Sequence, residues 1–195
     1  LGAHVVIQHL SPDFKSMMAG LLAKNTKMLI VPAENGMAVE ADHVYLIPPK
    51  TDMTVRNGEL ILVEQQRSRI PNLPINLFFN SLAKDCGVKS VAIVLSGTGS
   101  DGSKGIVEVN ESGGLVIAQD PASAKFDGMP LNAIGTKTVN KILRPLEMPD
   151  FLRAEYPDQI TIVLEHEFDD LTVSPEGFSV RMSFSDRPTR LYVPF

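Results

Sequence analysis

Short apolar runs alternate along this chain with stretches in which apolar residues return every three or four positions. Val5-Val6-Ile7 is a continuous apolar run, as expected of a strand buried on both faces of a parallel sheet. Ser11-Pro12-Asp13-Phe14 follows, with Ser11 as a helix cap and Pro12 at the first helical position. Phe14, Met17, Met18, Leu21 and Leu22 continue at helical spacing. Val44-Tyr45-Leu46-Ile47 reads as a strand stopped by Pro48-Pro49, and residues 51–63 read as a hairpin. Asn57-Gly58 supplies the two positive-φ positions of its type I′ turn. After Pro74, the spacing predicts a helix over 75–86 with Leu77, Phe78, Leu82 and Ala83 facing inward and Gly87 as the stop. Val91-Ala92-Ile93-Val94-Leu95 is the most apolar strand. A Gly-rich loop over 96–102 follows it, then a helix over about 103–112 with Ile106, Val107 and Val109 as its apolar positions. Leu115-Val116-Ile117-Ala118 is a further buried strand. This alternation predicts an α/β fold, doubly wound, with a largely parallel sheet.

The last 47 residues break the pattern. Ile160, Ile162 and Leu164 alternate with Thr161 and Val163, and Phe178, Val180 and Met182 alternate with Ser179, Arg181 and Ser183. With Leu191-Tyr192-Val193, and a turn at Pro175-Glu176-Gly177, they predict a short antiparallel β appendage. Charge shifts at the same place. Residues 1–148 hold 14 basic and 14 acidic side chains, whereas residues 149–195 hold four basic and nine acidic. All ten lysines precede the shift, and seven of the 12 aromatics follow it. A boundary near 148, just after the proline-bearing stretch Arg144-Pro145-Leu146-Glu147-Met148-Pro149, is the expected organisation.

Composition excludes several classes. The net charge of −5 argues against a general nucleic-acid binder, which needs a basic surface to release counterions from phosphates. One cysteine, Cys86, permits neither a disulfide framework nor a cysteine zinc site. No apolar run approaches the roughly 20 residues of a membrane helix, and no signal-peptide pattern opens the chain. A soluble protein of a reducing, cytoplasmic compartment, without membrane insertion, is expected.

Two strand ends carry candidate chemistry. His9 lies two residues past the first strand, and Asp101 lies in the loop after the most apolar strand. Both belong at the carboxyl edge of a parallel sheet, where ligands bind. A proton-shuttling histidine needs a carboxylate to fix its tautomer and stabilise the imidazolium, and Asp101 is placed to provide one. The competing reading makes His9 a partly buried structural histidine. Ser96-Gly97-Thr98-Gly99 could cradle a phosphate, but it has neither the dinucleotide glycine spacing nor the Gly-Lys-Ser/Thr of a P-loop. His4 is expected at a frayed strand start and His43 in solvent beside Asp42. His166 would face away from Glu165 and Glu167 on a strand, so no metal site is expected. Cys86 is expected to be buried and inert.

Four ordered segments then resemble one family. Val5-Val6-Ile7-Gln8-His9-Leu10-Ser11-Pro12-Asp13-Phe14, Val44-Tyr45-Leu46-Ile47-Pro48-Pro49 and Leu95-Ser96-Gly97-Thr98-Gly99-Ser100-Asp101-Gly102 are similar to motifs of CheB-type protein-glutamate methylesterases. Ala118-Gln119-Asp120-Pro121 with Gly128-Met129-Pro130 is the fourth. The wording is closest to methylesterase domains fused to the chemotaxis methyltransferase. The resemblance implies hydrolysis of glutamate methyl esters on chemoreceptor cytoplasmic helices, with glutamine deamidation in many members, by a Ser-His-Asp triad without a cofactor. It implies His9 as general base, Asp101 as its orienting carboxylate and the backbone at Thr98 as part of the oxyanion hole. The family's nucleophile turn, Gly-x-Ser-x-Gly-Gly after a first strand, occurs nowhere in these 195 residues. No nucleophile and no first strand are therefore expected here. Ser11 reads as a helix cap, and Ser96, Ser100 and Ser103 belong to the Asp101 loop. The gap left in a parallel sheet would favour a homo-oligomer or poor solubility.

The tail resembles a different family, stringent starvation protein B, whose members deliver tagged substrates to an ATP-dependent protease. The resemblance is carried by Pro149-Asp150-Phe151-Leu152-Arg153-Ala154-Glu155-Tyr156-Pro157 and Gly177-Phe178-Ser179-Val180-Arg181-Met182-Ser183-Phe184, and by residues 159–168. It lacks that family's opening helix and strand. The expected organisation is thus a methylesterase-type part over 1–148 and a partial adaptor-like segment over 149–195. Two functions compete: an esterase domain, and a binding module that recognises receptor helices or takes a peptide along a strand edge.

Overall fold

The computed structural model describes residues 2–8, 17–65 and 73–155, and the backbone of 162–165. In chain order the elements are β1 (His4–Ile7), α1 (Met18–Ala23), β2 (Leu29–Pro32), β3 (Met37–Ala38), β4 (His43–Leu46), β5 (Thr51–Arg56), β6 (Glu59–Glu64) and α2 (Pro74–Cys86). They continue with β7 (Val91–Val94), α3 (Gly105–Glu111), β8 (Leu115–Gln119), α4 (Gly128–Gly135), β9 (Lys141–Leu143), α5 (Met148–Glu155) and β10 (Ile162–Glu165).

Seven strands form one sheet in the order β2-β4-β1-β10-β7-β8-β9. Every neighbouring pair in it is parallel. The expected α/β architecture with a parallel sheet is therefore present. Strand alternation sorts the buried side chains onto two faces. On one face Val5, Ile7, Ala92, Val94, Val116 and Ala118 meet α2, α3 and α4 through Phe78, Phe79, Ile106, Val109, Met129 and Ala133. On the other, Val6, Val44 and Leu46 pack with Met18 of α1. Val91, Ile93 and Ile117 on that side pack with Met148 and Leu152 of α5. Helices thus cover both faces, as parallel sheets require. No helix among the described residues is long and apolar enough to cross a membrane.

The tail enters this sheet. β10 lies parallel between β1 and β7, with Ile7 in register with Glu165 and Glu165 with Val94. It is the last described strand in sequence and the fourth of seven in space. Ile162-Val163-Leu164 is an uninterrupted apolar run, the composition of a strand flanked on both sides. The other two tail strands expected from the sequence, around 178–183 and 191–193, lie outside the described residues. So do the Ser11 cap and the first turn of the helix predicted after it. The described helix α1 begins at Met18.

A second sheet, β3-β6-β5, contains the expected hairpin. Its turn holds Asn57 at φ 53° and Gly58 at φ 74°, as a type I′ turn demands. The α2 helix fastens the hairpin: Asp85 accepts bonds from the Gly58 N–H at 3.0 Å and from the Asn57 N–H, and Ser81 Oγ accepts from the Val55 N–H at 3.0 Å. Along α2 the buried stripe runs Ile75, Phe78, Phe79, Leu82, Ala83 and Cys86. Leu77, expected inside, is 39% exposed. It lies off the stripe by one residue's turn, and Phe79 takes the inward place.

Candidate active site

The carboxyl ends of β1 and β7 lie at the same edge of the sheet, separated by β10. Two strand spacings are about 10 Å, within the span of a histidine and a carboxylate approaching from either side. His9 itself, two residues beyond β1, lies outside the described residues, as do Ser11 and His166. Gln8, the last described residue before it, is buried.

Asp101 lies among the described residues. It is 5% exposed and sits in the loop after β7, with its carboxylate on the N-terminus of α2. Oδ2 accepts a hydrogen bond from the Ile75 N–H at 3.0 Å. Oδ1 accepts from the Asn76 N–H at 3.0 Å and from its neighbour's Gly102 N–H at 2.9 Å. The first amides of a helix have no partner within the helix, so a carboxylate from another loop can take them. Three backbone donors offset the cost of burying the charge and fix the carboxylate in place. Gly102, at φ 89°, takes the left-handed conformation that turns the chain immediately after Asp101.

The arrangement is reciprocal. Asn76, in the first turn of α2, is also buried, and its Oδ1 accepts from the Lys104 N–H at 2.9 Å and the Gly105 N–H at 2.7 Å. The Asp101 loop caps α2, and α2 caps α3. The sequence carried a faint signal for this pairing, an Asn two residues after a helix-opening Pro, but nothing in it pointed to the partner 28 residues away.

Thr98 is exposed at the tip of the same loop. The loop is anchored on both sides of it. The Ser96 N–H donates to Gln119 Oε1 at 2.8 Å, and Ser96 Oγ accepts from the Phe126 N–H at 3.0 Å. The Gly97 N–H donates to the Phe126 carbonyl, and the Gly97 carbonyl accepts from the Met129 N–H, both at 2.9 Å. Asn132 Nδ2 donates to the Gly99 carbonyl at 2.6 Å. A Cβ at Gly128 would sit in ordinary contact with the loop, 3.4 Å from the Gly97 carbonyl and 3.6 Å from Thr98 Cα, so α4 begins directly against it. Gln119 completes the frame by donating from Nε2 to the Ser123 carbonyl at 3.0 Å. The two motifs flanking β7 and β8 are thus one hydrogen-bonded unit presenting Thr98, Gly99 and Ser100 to solvent.

The remaining histidines stand apart. His4 was expected at a frayed end, but it is buried, paired on both sides by β4 and β10. Burial lowers its pKa from 6.5 to about 4, so it is neutral, and its Nδ1 has no hydrogen-bond partner among the described residues. A first residue frays only where it lacks neighbours, and this one has two. His43 is partly buried rather than solvated. Its Nδ1 lies 2.8 Å from the Ala41 carbonyl and its ring stacks on Tyr45 at 5.7 Å. Burial, then the nearby Asp85 charge, push the Cys86 thiol well up, leaving it protonated and unreactive. Among the described residues no group of three His, Cys, Asp or Glu side chains could hold a metal.

Residues 1–152 match the family model of CheB methylesterase, and residues 138–195 match that of stringent starvation protein B. The two matches overlap over residues 138–152, which take in β9 and the first part of α5. The chain is 50% identical over 126 residues to an uncharacterized 104.1 kDa protein in the hypE 3′ region of Rhodobacter capsulatus, covering 65% of this chain and 13% of that protein. It is 31% identical over 150 residues to the protein-glutamate methylesterase/protein-glutamine glutaminase of Photorhabdus laumondii subsp. laumondii, covering 75% and 43%. The chain thus spans less than half the length of these curated relatives. The crystal structure of the Thermotoga maritima CheB methylesterase catalytic domain matches with a TM-score of 0.69 at 28% identity, over 77% of this chain and 82% of that one.

Proposed function

Because the chain belongs to the CheB methylesterase family, we propose that it carries the histidine and aspartate of a protein-glutamate methylesterase site. The substrates of this reading are glutamate methyl esters on chemoreceptor cytoplasmic helices, with glutamine deamidation as a second activity, and the setting is the cytoplasm. The observation that carries it is the buried, triply bonded Asp101 carboxylate at the sheet edge where β1, the strand leading to His9, also ends.

In the mechanism His9 accepts the proton of a serine hydroxyl as the oxygen attacks the ester carbonyl, and returns it to the leaving methoxide. Asp101 holds the imidazole in the required tautomer and stabilises its positive charge. A rigid carboxylate suits this task, because any swing of Asp101 would carry the base with it. The backbone N–H at Thr98 faces the developing oxyanion, on a loop that the Ser96, Gly97 and Gly99 bonds hold in shape. Residues of about 1–148 form the methylesterase-type part, and 149–195 the stringent starvation protein B-like segment. No Gly-x-Ser-x-Gly-Gly turn occurs in the sequence, so the nucleophile is to be supplied from outside these residues, and the chain alone hydrolyses little or no ester.

The test is hydrolysis of a receptor glutamate methyl ester by this chain and by a version extended upstream with the serine-bearing turn. The extended form should be faster by about 10⁶-fold, the loss seen when triad serines are removed. Asp101→Asn in it should lower turnover by about 10⁴-fold. Equal rates for the two forms would refute the missing nucleophile and direct alanine substitution to Ser11 and Ser100. An inactive extended form would refute the esterase reading. The match of residues 138–195 to stringent starvation protein B favours a second reading, a peptide-binding segment in the tail. It would show as binding of a tagged peptide without ester turnover.

A further inference from the structure

We propose that Asn76 is a positioning residue for this site, holding Asp101 in place by clamping both ends of the turn that carries it. The proposal rests on the methylesterase reading and adds to it a residue that touches neither substrate nor the reacting atoms.

The turn runs from Asp101 to Gly105. Its first residue is held by the main chain of Asn76, whose N–H donates to Asp101 Oδ1 at 3.0 Å. Its last two residues are held by the side chain, whose Oδ1 accepts from the Lys104 and Gly105 amides at 2.9 and 2.7 Å. One residue therefore grips a five-residue segment at both ends, from inside a helix that the sheet and the hairpin hold in place. Asn76 and Asp101 are both buried, so water cannot replace these bonds without opening the packing. Gly105 allows the close approach, since a Cβ there would fall 3.1 Å from the Asn76 Cα. Loss of the side-chain acceptor frees the Lys104–Gly105 end. The turn then pivots about Gly102, whose positive φ makes it the easily rotated point of the segment. The pivot moves Asp101 off the Ile75 amide, which Asn76 does not itself contact through its side chain.

Amide hydrogen exchange in this chain and steady-state hydrolysis in the upstream-extended form test this together. In Asn76→Ala the Lys104 and Gly105 amides should exchange faster. So should Ile75 and Gly102, the Asp101-bonded amides, by about tenfold or more. The kcat should fall about 100-fold, the effect of a displacement of about 1 Å at a catalytic group, with KM within about twofold. Asn76→Asp keeps the acceptor and should restore both readouts. If Asn76→Ala does not fold, Asn76→Ser, an acceptor of shorter reach, should lower kcat about tenfold at unchanged KM. Faster exchange confined to Lys104 and Gly105 with unchanged kcat would overturn the proposal, reducing Asn76 to a cap for α3. Unchanged kcat in Asn76→Ser would do the same. No hydrolysis by the extended parent would instead overturn the esterase reading. The clamp would then be decided by exchange alone, with unchanged Ile75 and Gly102 overturning it.

Discussion

His4 is the clearest case of a residue whose environment sets a measurable property. It is a fully buried imidazole at the start of β1 with a pKa lowered to about 4 and an Nδ1 without a hydrogen-bond partner among the described residues. Above pH 6.5 it is neutral in both folded and unfolded chains and adds no pH dependence. Below pH 6.5 the unfolded chain takes up a proton that the folded chain refuses until about pH 4. Stability should therefore fall with pH across that window, by about 3 kcal/mol in total from this residue. His4→Leu should remove that part of the acid sensitivity, measured as the difference in urea midpoint between pH 7.5 and pH 5. An identical difference in parent and variant would show that His4 is not the buried neutral group described. Asp101 makes the complementary point. Its position in a Gly-rich loop after an apolar strand marked it in the sequence as a candidate carboxylate. Two of the three amides that fix it come from a helix 25 and 26 residues earlier, and no local pattern encodes that.

Between elements, α2 and α3 meet closely at Gly105. A Cβ at Gly105 would lie 2.6 Å from Phe79 Cβ and 3.1 Å from the Asn76 carbonyl. Phe79 Cβ is attached directly to the α2 backbone, so the helices themselves must separate. Gly105→Ala gains up to about 1 kcal/mol of helix propensity, against an overpacking cost of about 1–3 kcal/mol. A net loss is expected, read as a lower urea midpoint with unchanged slope; a gain would disprove the contact. The elements that the sequence made legible are those with strong local signals. The hairpin was visible through Asn57-Gly58, α2 through Pro74 and Gly87, and β7 and β8 through unbroken apolar runs. Those passed over were β2, β3, β9, α4 and α5. β2 has only Leu29-Ile30-Val31 beside a Pro, β9 is three residues long, and α4 reads Gly-Met-Pro at its start. They form because neighbours supply pairing partners, which is tertiary information.

For the whole molecule, the placement of β10 decides what the tail is. The composition break near 148 suggested that the first part folds without it. Yet α5 buries Met148 and Leu152 against β7 and β8, and β10 separates β1 from β7. Truncation after Glu155 should leave two ladder edges unpaired and lower the thermal midpoint by about 10 °C or more, given about 4–8 °C per kcal/mol for a domain near 100 residues and about half that for a larger one. An unchanged midpoint would mean that the sheet stands without this strand and that the break at 148 is a true domain boundary. The same placement orders events during synthesis. A ribosome releases β1 early and holds it without its inner neighbour until Ile162 has been translated and has cleared the exit tunnel. Until then the β2-β4-β1 and β7-β8-β9 halves are two half-sheets with facing open edges. Nascent chains of this protein should depend on chaperones, and a stop codon anywhere before residue 162 should yield aggregate rather than a smaller folded product.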